Sequence, residues 1–575
     1  MLSASVLGLS LAACTDSWDD HYSQIPDTQY GNASIYEVLA AQPELSDFCR
    51  VLDQATMFAN FRNTPVTYKE LLNADQFFTV WAPVNGTFNA DSLIAMCQTN
   101  HGDSLVEVQF LKNHIARYSH SFGNTQDSTV SLLNSKKLSM VGDQFGTTTI
   151  VKPNITARNG IIHVVKEPSK YFNNVYEAMS NLPQLQHLGS FFKGYEQFRF
   201  DESSSLAMGV VDGKTVYIDS VFYLVTYSFG YIRQEDSLMW MLAPTKEVWE
   251  PVYEEAKSYF NYSHMPKGDS LTNLYTHDAL MTDLFYNPKS WKQRSIQDSI
   301  VSVGWYQNTL KERYHVYFKP FEPGGLFAQN WVEKITCSNG TIYVMDQWPF
   351  DKTKLYFQPI EISTSLSRLY DSGGNAKRSS SIEVSWFGVD NDSIESGYLS
   401  VVPEVSTDAY YAEFEVPGVL SGEYDIYCVV LPKSVNSRND VGSTAAGIRN
   451  RLPNKFTVEI TYRGKDNQEY VLDSKNRYEF DESLPQYYVK SSTAPYLFEG
   501  NAVSKGARDY TSYVNNPLRV DTIKLCTMKF PTCNYGQSPI TNRIKIINNV
   551  KKSEARDYAD FLYLSAIVLK PHSEN

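Results

Sequence analysis

Cysteine and histidine are the residue types in this chain that could bind a metal ion or form a catalytic nucleophile and base. The seven cysteines include no Cys-x-x-Cys pair, the spacing on which zinc-ribbon sites are built. His114 and His120 are not spaced to share a helical face, and the chain has no His-Glu-x-x-His motif. We therefore predict no metal site, no cofactor and no cysteine–histidine catalytic pair.

Two cysteines near the C-terminus could form a disulfide. Cys526 and Cys533 would come together if Pro531 turned the chain between them, and an exported protein would permit the bond. Two buried free thiols are an equally good interpretation, because a cysteine in an apolar strand acts as a small hydrophobic residue. The sequence leaves both alternatives open.

Serine nucleophiles and phosphate-binding loops have motifs of their own, and the chain lacks them. It contains no Gly-x-Ser-x-Gly, no P-loop and no Gly-x-Gly-x-x-Gly after a strand. Adjacent carboxylates such as Glu254 and Glu255 point to different faces of a regular element. A glycosidase pair assembled from distant segments stays open, but we expect a protein that is not an enzyme.

Cys14 is the one cysteine with a clear chemical context. Residues 2–13 are apolar or small, too short to span a membrane but suited to the core of a secretory signal. Leu11-Ala-Ala-Cys14 resembles a bacterial lipobox, in which the cysteine is acylated and becomes the new N-terminus. We predict a signal peptide over 1–13 and lipidation at Cys14; an incidental cysteine after an ordinary signal peptide is the alternative.

The segment after Cys14 is acidic. Thr15-Asp-Ser-Trp-Asp-Asp-His-Tyr22 resembles the surface-export signal of Bacteroides-type lipoproteins. We interpret 14–31 as a lipidated acidic tether. The resemblance implies a lipid-anchored protein of the outer membrane, exposed on the cell surface.

Nine Asp-(Ser/Thr)-x triplets are similar to the O-glycosylation sequon of the same bacterial group. The amino-acid composition alone would produce roughly two or three such triplets. Asp-Ser also favours helix starts and turns, which is the competing explanation. The candidate acceptors are Ser92, Ser104, Ser128, Ser220, Ser237, Ser270, Ser299, Ser393 and Thr522.

The first part of the chain alternates helix and strand patterns. Residues 34–43 are predicted to begin a helix capped by Ser34 with Glu37, and the apolar run 77–82 is a buried strand closed by Pro83. Helical spacing is predicted over Val106–Tyr118. A turn at Asn159-Gly160 leads into another apolar strand.

These pieces resemble a fasciclin domain over 32–168, and the family's fold is an α/β sandwich. The first family signature is matched by Thr79, Ala82, Pro83 and Phe88, and the closing signature by Asn159, Gly160 and His163. The central Tyr-His pair is half matched, since Asn113 replaces the tyrosine and His114 matches. The resemblance implies that His114 helps hold the domain together or supports partner contact; we favour the structural role.

Residues 169–349 repeat this organisation in divergent form. Residues 174–183 resemble the first helix, 238–249 resemble the first signature through Ala243 and Pro244, and 338–345 resemble the closing signature through Asn339 and Gly340. Tyr343 replaces the histidine. We predict a second, divergent fasciclin-like domain.

From 350 to 575 apolar alternation dominates, with turn residues every eight to twelve positions, which is typical of an all-β sandwich or jelly roll. The segment is similar to galactose-binding-like modules. The predicted fold class is therefore α+β, with two tandem fasciclin-like α/β sandwich domains followed by a jelly-roll-like β-sandwich.

Charge and aromatic content restrict the function. Asp and Glu total 64 against 51 Lys and Arg, and the net charge of −13 argues against nucleic acid binding. Aromatic residues make up 14% of the chain, including 39 tyrosines, and such rings stack on sugars or anchor interfaces. The resemblance to surface lipoproteins implies an accessory binding or docking component beside a TonB-dependent barrel and a SusD-like lipoprotein, as in SusC/SusD-type uptake of glycans or peptides. The alternative is an adhesion protein that binds a host or neighbouring cell through its fasciclin domains.

Overall fold

The computed structural model describes most of residues 32–573. Its gaps are 60–61, 124–127, 196–197, 212, 225–231, 290–294, 304–305, 309–310, 314, 329–330, 365–368, 375–380, 386–397, 403–409, 432–444, 446, 448–451, 491–495, 500, 504–506, 512–519, 538, 549 and 560. Cys14 and the acidic tether lie outside the described residues, so their roles stay predictions. No helix in the described part is long and apolar enough to cross a membrane.

The chain forms two compact units. The first contains residues up to Thr226 together with Tyr231–Leu238 and Thr336–Thr341. Its helices are α1 Ile35–Ala40, α2 Ser46–Gln54, α3 Tyr68–Asn73, α4 Ala90–Met96, α5 Asn100–Val106, α6 Val175–Asn181 and α7 Gln186–Tyr195, with short 3-10 turns at Pro43–Leu45 and Pro183–Leu185. Its strands are β1 Thr56–Ala59, β2 Arg62–Thr67, β3 Phe78–Pro83, β4 Ile115–Arg117, β5 Ser128–Ser131, β6 Lys137–Val141, β7 Gln144–Phe145, β8 Thr148–Ala157, β9 Gly160–Val165, β10 Phe198–Val211 and β11 Lys214–Leu224.

A seven-stranded sheet in the order β4-β3-β9-β8-β7-β6-β5 forms the frame of the first unit. Its central pair, β3 and β9, is parallel, and every residue of both strands is buried. Successive residues of β3 enter different cores, as alternation in a strand requires: Val80 packs with the helices, whereas Trp81 packs with Phe145 on the other face. The sheet therefore has a hydrophobic core on each side.

The helix predicted over Val106–Tyr118 is shorter in the structure. A π-helical turn, Glu107–Leu111, follows α5, and β4 begins at Ile115. Ile115 is β-branched and pairs with Val80, so sheet pairing outweighs the helical spacing at this end.

The second unit contains Tyr227–Gly230, Met239–Ile335 and Ile342–Asn575. Its helices are α8 Lys246–Tyr259, α9 Gly268–Met281 and α10 Lys352–Leu355, with a 3-10 turn at Lys552–Glu554. The strands between residues 239 and 349 are β12 Met239–Pro244, β13 Phe285–Tyr286, β14 Ser299–Val301, β15 Tyr306–Asn308, β16 Lys311–Arg313, β17 Val316–Phe318, β18 Trp331–Cys337 and β19 Gly340–Met345, of which the residues of Thr336–Thr341 are counted with the first unit. The sheet β13-β12-β19-β18 has the same order as the signature-bearing part of the first sheet, β4-β3-β9-β8.

The rest of the second unit is all β. Its strands are β20 Ile360–Ser363, β21 Leu369–Gly374, β22 Ser381–Ser385, β23 Tyr398–Val402, β24 Tyr410–Glu415, β25 Glu423–Val430, β26 Lys455–Arg463, β27 Glu469–Asp473, β28 Tyr478–Glu479, β29 Tyr488–Val489, β30 Asn501–Val503, β31 Ala507–Thr511, β32 Asp521–Lys529, β33 Arg543–Asn548 and β34 Leu562–Pro571. One sheet runs β22-β23-β34-β25-β32 with β20 on β34, and the other runs β21-β24-β33-β26-β31-β30 with β27 on β26. Burial alternates along β24 and β25, as expected for strands with one face in a sandwich core. The predicted α+β class with a β-sandwich is confirmed.

Candidate binding site

The closing Asn-Gly signature has a structural task in the first unit. The Asn159 side-chain oxygen accepts from Ile35 N at 2.8 Å, and its amide donates to Leu72 O at 3.0 Å and Ala74 O at 2.7 Å. A Cβ on Gly160 would lie 1.8 Å from Phe78 O, so only glycine fits. This pair fixes the start of α1 against the sheet.

The same arrangement recurs at Asn339. Its side-chain oxygen accepts from Val175 N at 2.9 Å, and its amide donates to Ile232 O at 2.9 Å and Gln234 O at 3.1 Å. Val175 is the first residue of α6, just as Ile35 is the first residue of α1. Capping boxes begin both helices, with Ser34 and Asn174 as the caps.

Three signature residues lie in cores. Ala82 is fully buried at the end of β3, and Pro83 is the last residue of that strand. Phe88 packs on the helical core with its ring 5.0 Å from that of Phe110. None of the three lines the cavity of the second unit that is described below.

Thr79 and His163 hold an exposed loop in place. The Thr79 hydroxyl donates to Tyr118 O at 2.7 Å and accepts from His120 N at 2.9 Å. His163 Nε2 donates to His120 O at 2.8 Å. The loop presents Tyr118 to solvent, 66% exposed, with a left-handed backbone (φ 64°) that is unusual for a bulky residue.

His114 and Asn113 bind the backbone of Ser169 from both sides. His114 Nδ1 donates to Phe110 O at 2.7 Å, and Nε2 accepts from Ser169 N at 2.9 Å, so the ring is neutral. Asn113 donates to Ser169 O at 3.0 Å. Burial lowers the pKa of His114 to about 4, which agrees with the neutral tautomer.

A cavity of about 770 Å³ opens in the second unit where the hairpin of α8 and α9 meets the β-sandwich. Its polar neutral lining includes Ser258, Asn261, Ser263 and Thr272. Its apolar lining includes Tyr259 and Phe357. Its ionisable lining residues are Glu254, Lys257, Asp269, Glu423, Lys465, Glu482, Lys529 and His572. We call this concave site the polar cleft.

Buried contacts hold the walls of the polar cleft together. Tyr262 donates to Tyr535 O at 2.6 Å, and the Cys533 backbone N–H donates to Asn261 O at 3.0 Å. The Phe357 ring lies 4.7 Å from that of Tyr259. These contacts hold the two walls of the cleft against each other.

The lysines of the polar cleft are paired with its own glutamates. Lys465 lies 3.2 Å from Glu482, and Lys529 also pairs with Glu482. These lysines lower the pKa of Glu482, the hydrogen bond from Lys529 being the main cause. The cleft can therefore offer alternating carboxylate acceptors and ammonium donors to a polar ligand.

An Asp–His pair elsewhere in the second unit has a glutamine at the position where a catalytic triad has its nucleophile. His315 Nδ1 donates to the buried Asp283 at 2.6 Å, as a triad histidine would. The other ring nitrogen, Nε2, accepts from the amide of Gln358 at 2.8 Å. Gln358 also donates to Lys354 O, so this ring nitrogen is occupied by a side chain that cannot act as a nucleophile.

The disulfide between Cys526 and Cys533 is not formed: both thiols are free and buried. Cys526 lies within β32 opposite Ile426, whereas Cys533 lies beyond the end of the strand and contacts Asn261. Burial raises the pKa of the Cys533 thiol to about 12, which makes it unreactive. Among the described residues no group of three His, Cys, Asp or Glu side chains could hold a metal ion.

The candidate O-glycosylation sites divide by exposure. Ser92, Ser270 and Thr522 are exposed, and Ser104, Ser237 and Ser299 are half-buried. Ser128 is the first residue of β5, and Ser220 lies within β11. Ser393 lies outside the described residues. The preceding aspartates of three sites, Asp91, Asp103 and Asp269, lie in first turns of helices, which fits the helix-start explanation. Modification stays a prediction.

The polar cleft was not predicted from the sequence, which indicated only that exposed aromatic rings could bind a ligand or a partner. Its lining comes from α8, α9, the start of β25, the end of β32 and the chain's last described residues. No local motif links these segments. The only sequence signal is the general richness in tyrosine, and that does not select Tyr259.

The fold defines an α+β protein of two compact units, the second of which contains the polar cleft. Residues 43–168 match the family model for the fasciclin domain, so the chain contains a fasciclin domain. No curated protein matches the sequence.

The solved structures to which this chain is similar include the following three. A FAS1 domain pair from the insect cell adhesion molecule Fasciclin I is 10% identical with a TM-score of 0.17, covering 48% of this chain and 90% of that one. The xylan-binding domain from CBM 22 is 11% identical (TM-score 0.18; 37% and 92% covered). The mannan-recognising module TmCBM27 is 8% identical (TM-score 0.17; 38% and 99% covered).

Proposed function

We propose that this protein is a non-enzymatic binding protein that captures an oligosaccharide or a peptide in the polar cleft. The observation that carries the proposal is the cleft itself: it is concave, preformed, and lined by charged and amide groups around Tyr259. Ligand sites are commonly concave, and the polar groups placed in them fix the orientation of the ligand. The Asp283–His315 pair is not available as a catalytic base, because Gln358 donates to the second ring nitrogen of His315.

The proposed setting is the cell surface. Lipidation at Cys14 would anchor the chain in the outer membrane, and the acidic tether would direct it to the outer face. There it would act as an accessory component beside a TonB-dependent barrel and a SusD-like lipoprotein. A tethered binding cleft raises the local concentration of cargo near the pore even when its affinity is modest.

The modules of this protein are proposed as a fasciclin domain over 32–168, a divergent fasciclin-like domain over 169–349 and a galactose-binding-like sandwich over 350–575. The bonds of Asn339, which repeat those of Asn159, support the second of these. The shared strand order of the two sheets supports it as well.

Equilibrium dialysis tests ligand capture. The full chain is dialysed against mixed oligosaccharides and peptides, and mass spectrometry identifies what is retained. We expect the double variant Asp269→Asn with Glu423→Gln to weaken retention at least about tenfold, because hydrogen bonds to charged groups contribute about 1.5–3 kcal/mol. The matched double variant Glu247→Gln with Asp346→Asn, exposed and outside the cleft lining, should retain ligand normally. Failure of the wild-type chain to retain anything would exclude capture.

Purification in mild detergent from outer membranes tests the setting. A barrel and a SusD-like protein should co-purify in stoichiometric amounts with the wild-type chain and not with Cys14→Ala, which should lose the membrane anchor. A chain that purifies alone contradicts the uptake role. A Cys14→Ala variant that stays acylated and membrane-bound contradicts the lipidation site.

Adhesion through the fasciclin domain is the second candidate function, and the Tyr118 loop favours it. Residues in unusual backbone conformations often mark functional sites, and exposed tyrosines often anchor interfaces. Cell or matrix binding that falls at least about tenfold with Tyr118→Ala, and not with Val151→Ala at another exposed apolar position, would support adhesion. Equal binding by both variants would reject this loop as the adhesive site.

A further inference from the structure

We propose that the ligand of the polar cleft is an uncharged oligosaccharide, with acidic glycans and extended peptides excluded. This inference rests on the proposed function, since it assigns a chemical class to the same site. Three features of the cleft carry it: the pairing of its lysines, the carboxylates that stay unpaired, and the capping of its strand edge.

The first feature is that the cleft neutralises its own cations. Lys465 and Lys529 converge on Glu482, and Lys257 lies 3.5 Å from Glu254. An anionic ligand would have to compete with these glutamates for every lysine of the lining. The lysines therefore act as hydrogen-bond donors within ion pairs and not as an anion site.

The second feature is an excess of acceptors. Asp269 and Glu423 line the cleft, are exposed, and have no ion-pair partner among the described residues. Their carboxylates repel anions, so uronic acids, sulfated sugars and acidic peptides are disfavoured. They accept hydrogen bonds readily from hydroxyl groups, and such charge-assisted bonds are roughly twice as strong as neutral ones.

Vicinal hydroxyls match this lining because each hydroxyl donates and accepts at once. One hydroxyl can donate to the Glu482 carboxylate while it accepts from Lys465 or Lys529, without breaking the pair. Asn261 and Thr272 supply further neutral donors and acceptors. A sugar ring offers such groups on every side, so it can use most of the lining.

The third feature closes the cleft to an extended peptide. Peptides often bind by adding a strand to a free sheet edge. β25, which begins at the cleft, is paired on both sides by β32 and β34. The edge groups of Lys529 at the end of β32 are taken by Tyr487, whose hydroxyl donates to Lys529 O at 2.9 Å and accepts from Lys529 N at 2.8 Å. No strand edge at these positions is free to pair with a peptide.

Fractionated ligand pools test the inference on the full chain. The probes are the neutral fraction of a plant-polysaccharide hydrolysate, its uronic-acid fraction and a tryptic peptide digest. We expect retention of neutral oligosaccharides only, with a dissociation constant that changes less than about twofold between about 50 mM and about 500 mM NaCl, since screening weakens only charged partners. We also expect Glu482→Gln, which releases both lysines, to raise retention of the uronic-acid fraction at least about threefold in low salt.

The outcomes separate the two proposals. Retention of acidic glycans or peptides by the wild-type chain would overturn the inference, and a change in that retention in Asp269→Asn with Glu423→Gln would leave capture in the cleft standing. Neutral preference that is unchanged in Glu482→Gln would show that the ion pairs do not set selectivity, which also overturns the inference. Retention of no pool would overturn both.

Discussion

His114 binds two backbone groups that only a neutral ring can bind together. Its Nδ1 donates to Phe110 O, and its Nε2 accepts from Ser169 N. His163 also makes two hydrogen bonds that require a neutral ring, because its Nε2 donates to His120 O and its Nδ1 accepts from Asn154 N at 3.3 Å. A proton added to either ring would place a donor against an N–H group, so both rings make folding depend on pH.

The first prediction is a loss of stability in mild acid. Burial lowers the pKa of both His114 and His163 to about 4, below the ordinary 6.5, so the unfolded chain takes up protons first as the pH falls. Their stabilising contribution is complete above pH about 6.5 and is lost down to pH about 4, costing about 2 kcal/mol per ring at pH about 5.

Urea titrations at pH about 7 and at pH about 5, followed through the unfolding transition of the first unit, measure this loss of unfolding free energy. His114→Gln should reduce the pH dependence, whereas His101→Gln at an exposed position should not. Identical pH dependence in wild type and His114→Gln would contradict the assignment.

The second prediction concerns Gly160. Gly160→Ala forces a Cβ to within 1.8 Å of Phe78 O, where backbone must move. Gly86 also has positive φ but has nothing within 4 Å of a Cβ, so Gly86→Ala reports backbone conformation alone. We expect Gly160→Ala to cost at least about 2 kcal/mol more than Gly86→Ala in thermal unfolding, and equal costs would refute the close approach.

Elements of the first unit meet at a buried lysine in the turn between β5 and β6. Lys136 is 1% exposed and binds Glu177 at 2.9 Å, Glu235 at 2.8 Å and the Ser338 hydroxyl at 3.1 Å. The neighbouring Lys137 pairs with Asp236 at the surface. Glu177 also completes the capping box of α6, so one ammonium links a turn, a helix start and two loops.

The third prediction contrasts the two lysines. Lys136→Met leaves the nearly buried Glu235 carboxylate and the partly exposed Glu177 carboxylate without the Lys136 ammonium, and it should cost about 3–5 kcal/mol of unfolding free energy. Lys137→Met removes an exposed pair and should cost less than about 1 kcal/mol. Denaturant titration measures both, and Glu235→Gln in the Lys136→Met background should restore part of the loss. Similar costs for the two lysines would contradict the role of Lys136.

At the scale of the whole molecule, the hairpin of α8 and α9 belongs to the same compact unit as the β-sandwich. Tyr262 is fully buried against Tyr535, and the Phe260 ring lies 6.0 Å from that of Tyr535. Asn261 binds the backbone of Cys533. The polar cleft exists because of this packing, and neither part alone forms it.

The fourth prediction is that limited proteolysis does not separate these parts. Cleavage requires local opening, and the aromatic contacts around Tyr262 oppose it. We expect mass spectrometry of the digest to show no stable fragment that begins near residue 350. Such a fragment would show that the sandwich stays folded without α8 and α9, which would contradict the stabilising role of the contacts around Tyr262.

The elements that could be predicted from the sequence are those that are specified by neighbouring residues. The cap at Ser34, the buried strand closed by Pro83 and the alternation in β24 and β25 all follow from the spacing of neighbouring residues. It misjudged the end of the Val106–Tyr118 helix, where the pairing of Ile115 with Val80 overrides helical spacing. Pairing with a distant strand leaves no trace in a local pattern.

The sequence by itself determined the α+β class, the β-sandwich and the Asn-Gly turns, because apolar periodicity and turn chemistry are properties of adjacent residues. Only the tertiary structure decided that Cys526 and Cys533 stay apart and that Lys136 is buried among glutamates. It also decided the polar cleft, whose lining residues are spread along the chain from Glu254 to His572. Contacts between distant segments depend on how completed elements pack, and packing selects partners by shape and burial that no short window of sequence contains.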